Sequence, residues 1–575
     1  MIVFKKKYFI DIIYFLIFLF TGILIYFQSL SNAFVWDDRD QIVNTHSGDA
    51  LGNIIKFFFG FHYGRNNLGM PNNAYEAYYR PLHYTVLSAL YGLFGGNVFF
   101  YHFFQILLHC ANAFLIALFL KKFFPRHLSF ILAILFLIHP INSEAVLYIS
   151  ALQESLFFFF GMCALILFDA KQNNLNLLFG GIFLLSSIFS KETGFLFFFI
   201  IALYFFLLNR LYLKKIILVE ILVAFFYVVM RFFIAGVFLA RLNYVPIINV
   251  SLAIRLFTMP AVFFYYIKTF FFPKNLSISQ HWIVTSQNMS LFYFPLIIDV
   301  LIFLIIISFG IYLFKKKKNI YNTYLFFTLW FLTGMALHMQ IFPLDMTVAE
   351  RWFYFPFAGL LGIIAVIIKT FLSARYTKRS IFLSIVLLSF LAFRSFQRSF
   401  DWKTPLTLYL KDSQINKSSF DLESNLGAEL FRAGKKDEAK EHFEKSISLA
   451  PNHWVNSANL AGYYFSKKDF TNAEKYYLIS INNNPYFVAS RENYSRLLLS
   501  NNSDQGKKAK QFLEKSVQIF PKNSKLWLYL SVANYEQGLK DEALNAAKRS
   551  VQLAKNPENI YVYTQLMKNL PLDIK

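Results

Sequence analysis

Pairs of acidic and basic residues recur in this sequence at the places where long apolar runs end. Asp37 and Asp38 follow the first apolar run, and Lys191 and Glu192 separate two later ones. Charged residues at such places are costly to desolvate unless they are paired or functional. A carboxylate can accept a proton from a nucleophile, and Arg or Lys can stabilise an anion. The polar residues at these run ends are Asp37, Asp38, Arg80, His139, Glu144, Glu154, Lys191, Glu192, Glu350 and Arg351.

The elements that must position these residues are apolar segments of membrane-spanning length. The chain has 575 residues, of which 57% are hydrophobic and 15% are charged. In a soluble protein about a quarter of the residues are charged. Apolar runs recur from Tyr8 to about Ser399 and then stop. Residues 1–400 are therefore predicted to form a polytopic membrane domain.

The formal charge of +23 does not indicate a nucleic-acid-binding protein, because the cations follow a membrane pattern. Many of them form short clusters between apolar runs, which the positive-inside rule places on the cytoplasmic side. This orientation puts the acidic and basic pairs on the outer face, with residues 31–97 as the first outer loop. About twelve membrane helices are expected. The segment 251–273, which contains Arg255, is interpreted either as a span or as a re-entrant or interfacial segment.

The last part of the chain repeats with a period of about 34 residues, which is typical of tetratricopeptide helix pairs. A small residue recurs where the two helices of each pair would touch: Ala439, Ala473, Ala509 and Ala543. We expect a linker at 401–418 and about four repeats in 419–575, stacked into a superhelix that binds a peptide or protein. The predicted fold class is all-α, with membrane helices followed by a tetratricopeptide-repeat superhelix.

Six segments occur in an order that, together with the repeats, resembles the GT-C class of membrane glycosyltransferases. They are FVWDDRDQIVN (34–44), 79–96, 136–154, FSKETG (189–194), 255–273 and AERWFYFP (349–356). The sequence looks most similar to the transmembrane and tetratricopeptide-repeat-containing O-mannosyltransferase family and its bacterial relatives. The resemblance covers nearly the whole chain. It implies a GT-C-like fold and transfer of a sugar, mannose in that family, from a polyprenyl- or dolichyl-phosphate donor to a hydroxyl group, on protein in the first instance.

The resemblance and the chemistry of sugar transfer together suggest roles for the charged residues. The candidate catalytic carboxylates are Asp37, Asp38 and Glu350, with Asp37 or Asp38 as the base that takes the acceptor proton. The candidates for binding the donor phosphate are Arg351, Lys191, Arg80 and, if 251–273 is re-entrant, Arg255. The candidates for orienting the sugar or the acceptor are His139, Glu144, Glu154 and Glu192. A divalent cation could bind at Asp37 and Asp38, but two adjacent carboxylates do not complete an octahedral site.

Each of these assignments has a structural alternative. The alternatives are a helix-capping turn for Asp37 and Asp38, an ion pair between spans for Glu350 and Arg351, a solvated turn for Lys191 and Glu192, a satisfied helix end for His139, and exposure to solvent for at least one of Glu144 and Glu154.

For the whole chain, an enzyme is favoured over a membrane-anchored scaffold and over a transporter of lipid-linked substrates. Anchoring needs only one span, and a transporter predicts charges within spans and an internal repeat. The expected partners are a lipid-linked sugar donor, membrane lipids and an acceptor protein recruited by the repeats. The Phe-, Ile-, Lys- and Asn-rich composition indicates an AT-rich bacterial genome, and therefore an inner membrane with a periplasmic active face. A eukaryotic source would place the same face in the lumen of the endoplasmic reticulum.

Overall fold

The computed structural model describes residues 2–44, 50–61, 78–170, 173–238, 245–371, 378–500 and 506–572. The regular structure of these residues is helical, apart from a single antiparallel bridge between Gln280 and Val348. The α-helices of the first part are Ile2–Tyr26, Ile54–Phe58, Pro81–Phe94, Val98–Leu120, Arg126–Ile138, Ser143–Leu147, Leu152–Asp169, Asn174–Ser190, Leu196–Leu208, Leu213–Val228, Leu252–Phe271, Phe294–Lys316, Lys318–Ala336, Tyr354–Phe371 and Lys378–Asp401. Short 3-10 or π segments extend or join them at Phe27–Ser31, Arg39–Asn44, Pro140–Asn142, Ile149–Ala151, Glu192–Phe195, Arg210–Tyr212, Val229–Ile234, Pro246–Ile248, Met289–Tyr293 and Glu350–Phe353.

The chain divides into two compact units. The first contains Met1–Gly60, Tyr78–Phe238 and Pro246–Ser419, and the second contains Phe420–Lys575. The helix Pro405–Ile415 belongs to the first unit, and we call residues 399–419 around it the connector. The domain limits drawn from the sequence stay predictions.

Six helices of the first unit are long and apolar enough to cross a membrane. They are Ile10–Ser31, Val98–Leu120, Ile149–Asp169, Arg210–Ile234, Met289–Lys316 and Glu350–Phe371. The consecutive helices Arg126–Ile138 and Pro140–Leu147 would make a seventh span with a bend of 51°. The chain is thus a multi-pass membrane protein.

The number of spans found in the described residues is lower than the twelve or so expected from the sequence. Asn174–Ser190 and Glu192–Leu208 are apolar but have only 17 residues each. Seventeen residues rise about 26 Å, which is less than the thickness of about 30 Å of the hydrocarbon layer. Leu252–Phe271, which carries Arg255, is not among the six either. Within the first outer loop, residues 45–49 and 62–77 lie outside the described residues.

Buried polar side chains join the membrane helices to one another. On the helix Val98–Leu120, His109 Nδ1 lies 2.8 Å and Asn112 Nδ2 lies 3.0 Å from the hydroxyl oxygen of Tyr354. Hydrogen bonds of this kind hold spans together in lipid, where water cannot replace them. These hydrogen bonds hold Tyr354, the first residue of the helix Tyr354–Phe371, and so constrain the position of Arg351 just before it.

The second unit consists of antiparallel helix pairs with the tetratricopeptide spacing. The described pairs are Phe420–Arg432 with Lys436–Leu449, Trp454–Ser466 with Phe470–Asn483, Val488–Ser500 with Gly506–Ile519, and Ser524–Glu536 with Lys540–Leu553, followed by Pro557–Met567. The four recurring alanines are fully buried. At Gly427 a Cβ atom would lie 2.6 Å from a ring carbon of Phe443, so that the pair packs this closely only with glycine there. The all-α fold class and the repeat superhelix predicted from the sequence are confirmed.

Candidate active site

Asp38 is fully buried and ties the first outer loop to the turn at Ile149–Ala151. Its Oδ1 accepts hydrogen bonds from the N–H and the Oγ–H of Ser150, both at 2.7 Å, and its Oδ2 accepts from the N–H of Val35 at 3.1 Å. Burial raises the pKa of Asp38 to about 7, although the hydrogen bonds from Ser150 and Val35 oppose the shift. Both oxygens of this carboxylate are therefore engaged by donors of the protein itself.

Asp37, next to it in the chain, is exposed. Trp36, which precedes the two aspartates, has a φ of +50°. This left-handed conformation is unfavourable for a bulky residue and needs support from its surroundings. The N–H of Trp36 donates a hydrogen bond to the hydroxyl oxygen of Tyr409 at 3.0 Å, and the two rings meet edge to face.

Tyr148 lies buried within electrostatic range of the acidic pair and of Arg351. Its hydroxyl group is buried, and burial raises its pKa well above the ordinary value for tyrosine. The negative charges of Asp37 and Asp38 raise this pKa further, and the positive charge of Arg351 opposes them. The side chains of all three residues therefore lie within electrostatic range of one phenol.

Arg351 pairs with Glu144, which lies 207 residues away, rather than with its neighbour Glu350. Its Nη1 forms an ion pair with Glu144 Oε1, and its backbone N–H donates to Glu144 Oε2 at 2.9 Å. Glu144 is 0% exposed and Arg351 is 8% exposed. A charge buried to this degree is tolerated only with such a partner.

Glu154 forms an ion pair with Lys191 close to Arg351. Lys191 Nζ forms an ion pair with Glu154 Oε1, and Arg351 Nε lies 3.9 Å from the same oxygen. Burial lowers the pKa of Lys191, the charge of Glu154 opposes this, and the charges of Arg80 and Arg351 lower the pKa further. Lys191 therefore lies within electrostatic range of Arg80 and Arg351, which are also candidates for binding the donor phosphate.

Glu192 forms ion pairs with two arginine side chains. Its Oε2 lies 2.8 Å from Arg80 Nε, and its Oε1 lies 3.6 Å from Arg231 Nη1. Arg80 also donates to Gln153 Oε1 at 2.8 Å. Arg231 was missed in the sequence analysis because it lies within an apolar run, whereas only the ends of the runs were searched for functional residues.

Glu350 lies in a different environment from Arg351. It is 1% exposed and accepts hydrogen bonds from the N–H of Ser277 at 2.6 Å and from the hydroxyl of Tyr265 at 3.2 Å. Both donors come from the helix Leu252–Phe271 or the loop after it, so Glu350 anchors that loop.

His139 lies at the bend between Arg126–Ile138 and Pro140–Asn142. Its Nδ1 accepts from the N–H of Ile141 at 3.1 Å, and its Nε2 lies 2.9 Å from the carbonyl oxygen of Phe270. These contacts assign the neutral tautomer that carries its proton on Nε2. Main-chain groups therefore engage both ring nitrogens, and the sugar-orienting role stays a prediction.

Arg255 is not connected to these clusters by any contact among the described residues. It lies ten positions before Tyr265 on one helix, which corresponds to about 15 Å along the helix axis. The Nε and Nη1 atoms of Arg255 are buried and have no hydrogen-bond partner in the described part of the chain.

Within the described ranges, no three His, Cys, Asp or Glu side chains converge as they would at a metal centre. The sequence analysis also missed the residues that orient the charged groups. They are Tyr148, Ser150, Tyr265, Ser277, Arg398 and Asp412. Most of these are uncharged, and nothing in their spacing marks them before the chain is folded.

The known proteins that are similar to this chain point to one activity. Protein O-mannosyl-transferase F38B6.6 of Caenorhabditis elegans is 26% identical over 449 residues, which are 76% of this chain and 63% of that protein. Protein O-mannosyl-transferase TMTC1 of Homo sapiens is 35% identical over 130 residues, which are 21% of this chain and 14% of that protein. This chain is similar to protein O-mannosyl-transferases. The resemblance inferred from the sequence is thereby confirmed, and the chain spans less than two thirds of the length of these relatives.

The repeats are recognised separately. A tetratricopeptide repeat family matches residues 421–453. Among solved structures, the MamA protein is 17% identical with a TM-score of 0.25, over 31% of this chain and 92% of that one. Yeast Tom70 is 14% identical with a TM-score of 0.27, over 81% of this chain and 95% of that one.

Proposed function

We propose that this chain is a membrane glycosyltransferase of the GT-C type that transfers mannose from a polyprenyl- or dolichyl-phosphate carrier to a hydroxyl group of a protein. The observation that carries the proposal is the meeting of charged residues from distant segments around Tyr148, Glu154 and Arg351. The similarity to protein O-mannosyl-transferases over 76% of the chain supports the choice of sugar and acceptor.

Asp37 acts as the base in this proposal, because its carboxylate is exposed whereas that of Asp38 is buried against Ser150. The acceptor oxygen forms a bond to the anomeric carbon of the sugar as its proton passes to Asp37. The bond from that carbon to the phosphate oxygen breaks, and the lipid phosphate leaves with the electron pair. Asp38 does not react and holds the loop that carries Asp37.

Arg80, Lys191 and Arg351 stabilise the charge that develops on the leaving phosphate. Glu144 and Glu154 hold Arg351 in one orientation before substrate binds. Fixed cations of this kind need no reorganisation during the reaction, which is the main source of electrostatic catalysis.

Glu350, Glu154 and Glu192 orient their cationic or loop partners in this proposal. The active face is the outer one, and the repeats recruit the acceptor protein through the concave surface that such superhelices form. The compartment follows from the source of the chain, periplasmic for a bacterium and lumenal for the endoplasmic reticulum.

The test is sugar transfer by the purified full-length chain in lipid nanodiscs. Polyprenyl-phosphate mannose and polyprenyl-phosphate glucose are supplied with a mixture of candidate acceptor proteins, and labelled protein is measured. Arg80→Gln is expected to reduce transfer by about 100-fold, because removing one donor to a developing anion costs about that much. Arg126→Gln is the matched control, since Arg126 pairs with Asp11 at the far end of the helix that leads to His139.

Transfer from the mannose donor that is lost in Arg80→Gln and kept in Arg126→Gln supports the proposal. If the wild-type chain transfers no sugar from either donor while the repeats retain a protein partner, the transferase proposal is wrong and the scaffold alternative takes its place.

A further inference from the structure

A buried ion pair outside the proposed reaction joins the helix Lys378–Asp401 to the connector. Arg398 donates two hydrogen bonds to Asp412, from Nη1 to Oδ1 at 2.7 Å and from Nη2 to Oδ2 at 2.9 Å. Arg398 is 1% exposed and Asp412 is 0% exposed. Burying two charges costs about as much free energy as their attraction returns, so stability alone does not explain the pair. Two parallel hydrogen bonds do fix the relative orientation of the two side chains.

Asp412 also holds the loop that anchors on Glu350. Its Oδ2 accepts a hydrogen bond from the N–H of Ile278 at 2.8 Å. The N–H of the preceding residue, Ser277, donates to Glu350 at 2.6 Å. Two consecutive amides of one loop are thus fixed by two buried carboxylates, one on the connector and one beside Arg351.

The connector holds the first outer loop as well. The carbonyl oxygen of Lys403 accepts from the N–H of Ala33 at 3.1 Å. The hydroxyl of Tyr409 accepts from the N–H of Trp36 at 3.0 Å, at the residue with positive φ that precedes Asp37. Tyr409 and Asp412 lie one turn apart on the same short helix, so a single element touches both loops.

We propose that Arg398 and Asp412 are a positioning pair for the transfer reaction. By fixing the helix Pro405–Ile415, they set the distance between the loop that carries Asp37 and the segment that begins at Glu350. The proposal rests on the transferase function for its kinetic readout. Neither residue of the pair contacts the substrate, so both act through the loops that they hold.

The kinetic test compares Asp412→Asn, Arg398→Lys and Asp401→Asn in nanodiscs. Asp412→Asn is expected to lower kcat by about 100-fold with an unchanged KM for the donor, because a displacement of about 1 Å at the reacting groups can reduce a rate that much. Arg398→Lys keeps the charge but not the two parallel hydrogen bonds, and a smaller loss of kcat is expected. Asp401→Asn is the matched control, since Asp401 lies 3.3 Å from the same guanidinium group but is 22% exposed at its side chain.

Hydrogen–deuterium exchange supplies a readout that does not depend on activity. In Asp412→Asn the amides of 277–282 and of 35–42 are both expected to exchange faster than in the wild type, whereas in Asp401→Asn neither changes. A kcat within twofold of the wild type, or faster exchange in 277–282 alone, overturns the positioning proposal. If the wild-type chain transfers no sugar at all, the proposed function fails. The exchange rates of 35–42 and 277–282 then still show whether the pair of Arg398 and Asp412 orders both loops.

Discussion

Asp37→Asn and Asp38→Asn are expected to change different properties of the protein, although the two residues are neighbours. Asp38 is 0% exposed, and both of its carboxylate oxygens accept hydrogen bonds, from Ser150 and from Val35. In Asp38→Asn the amide oxygen can replace only one of these oxygens. The amide NH2 group then faces a buried N–H, which leaves two donors without an acceptor.

The expected change in the free energy of unfolding follows from those hydrogen bonds. An unsatisfied buried polar group costs about 1–3 kcal/mol, so Asp38→Asn should lower the free energy of unfolding by about 2–4 kcal/mol. Asp37 is exposed, so its replacement should lower that free energy by less than the replacement of buried Asp38 does. Loss of a general base lowers kcat by about 10²- to 10⁴-fold, and this loss is expected for Asp37→Asn.

The assay combines thermal denaturation of each purified variant in nanodiscs with kcat measured from the mannose donor. Asp37→Asn should show the larger loss of kcat, and Asp38→Asn should unfold at the lower temperature of the two. An Asp37→Asn variant that transfers sugar at the wild-type rate would refute the assignment of the base. An Asp38→Asn variant as stable as the wild type would refute the role of Asp38 in holding this loop.

The buried charges lead to two further expectations. Burial raises the pKa of Asp38 to about 7 in the folded chain, against about 4 in an unfolded chain. Between these two pH values the folded chain keeps a proton that the unfolded chain has lost. The contribution of this proton to the free energy of unfolding is therefore fully present below about pH 4 and is lost as the pH rises through about 7. The gap in unfolding temperature between the wild type and Asp38→Asn should therefore narrow from pH 5 to pH 8, and a gap that widens would contradict the shift. Glu154→Gln leaves Lys191 buried without its carboxylate and should cost about 3–5 kcal/mol. Adding Lys191→Met should recover much of this loss in thermal denaturation, and a double variant no more stable than Glu154→Gln would show that the unpaired charge of Lys191 does not cause the loss.

The class of the protein can be read from its sequence alone, because the features that define the class are local. Apolar runs longer than the hydrocarbon layer is thick must be solvated by lipid, wherever the rest of the chain lies. The repeats show a period near 34, and Ala439 and its counterparts are buried where the two helices of each pair meet. The charged residues of the site are also recognisable from local sequence, because they interrupt or end apolar runs.

The pairing of these charges, in contrast, depends on how the helices and loops pack in the folded chain. Glu350 and Arg351 are adjacent in sequence, yet Arg351 pairs with Glu144, and Glu350 accepts from Ser277. Adjacent side chains on a helical turn point in different directions, so an adjacent pair of opposite charges rarely forms an ion pair with itself. The true partners come from helices and loops that meet only when the spans pack. Asp412 shows this most clearly, because it lies in a segment that looks like a linker until the fold buries it.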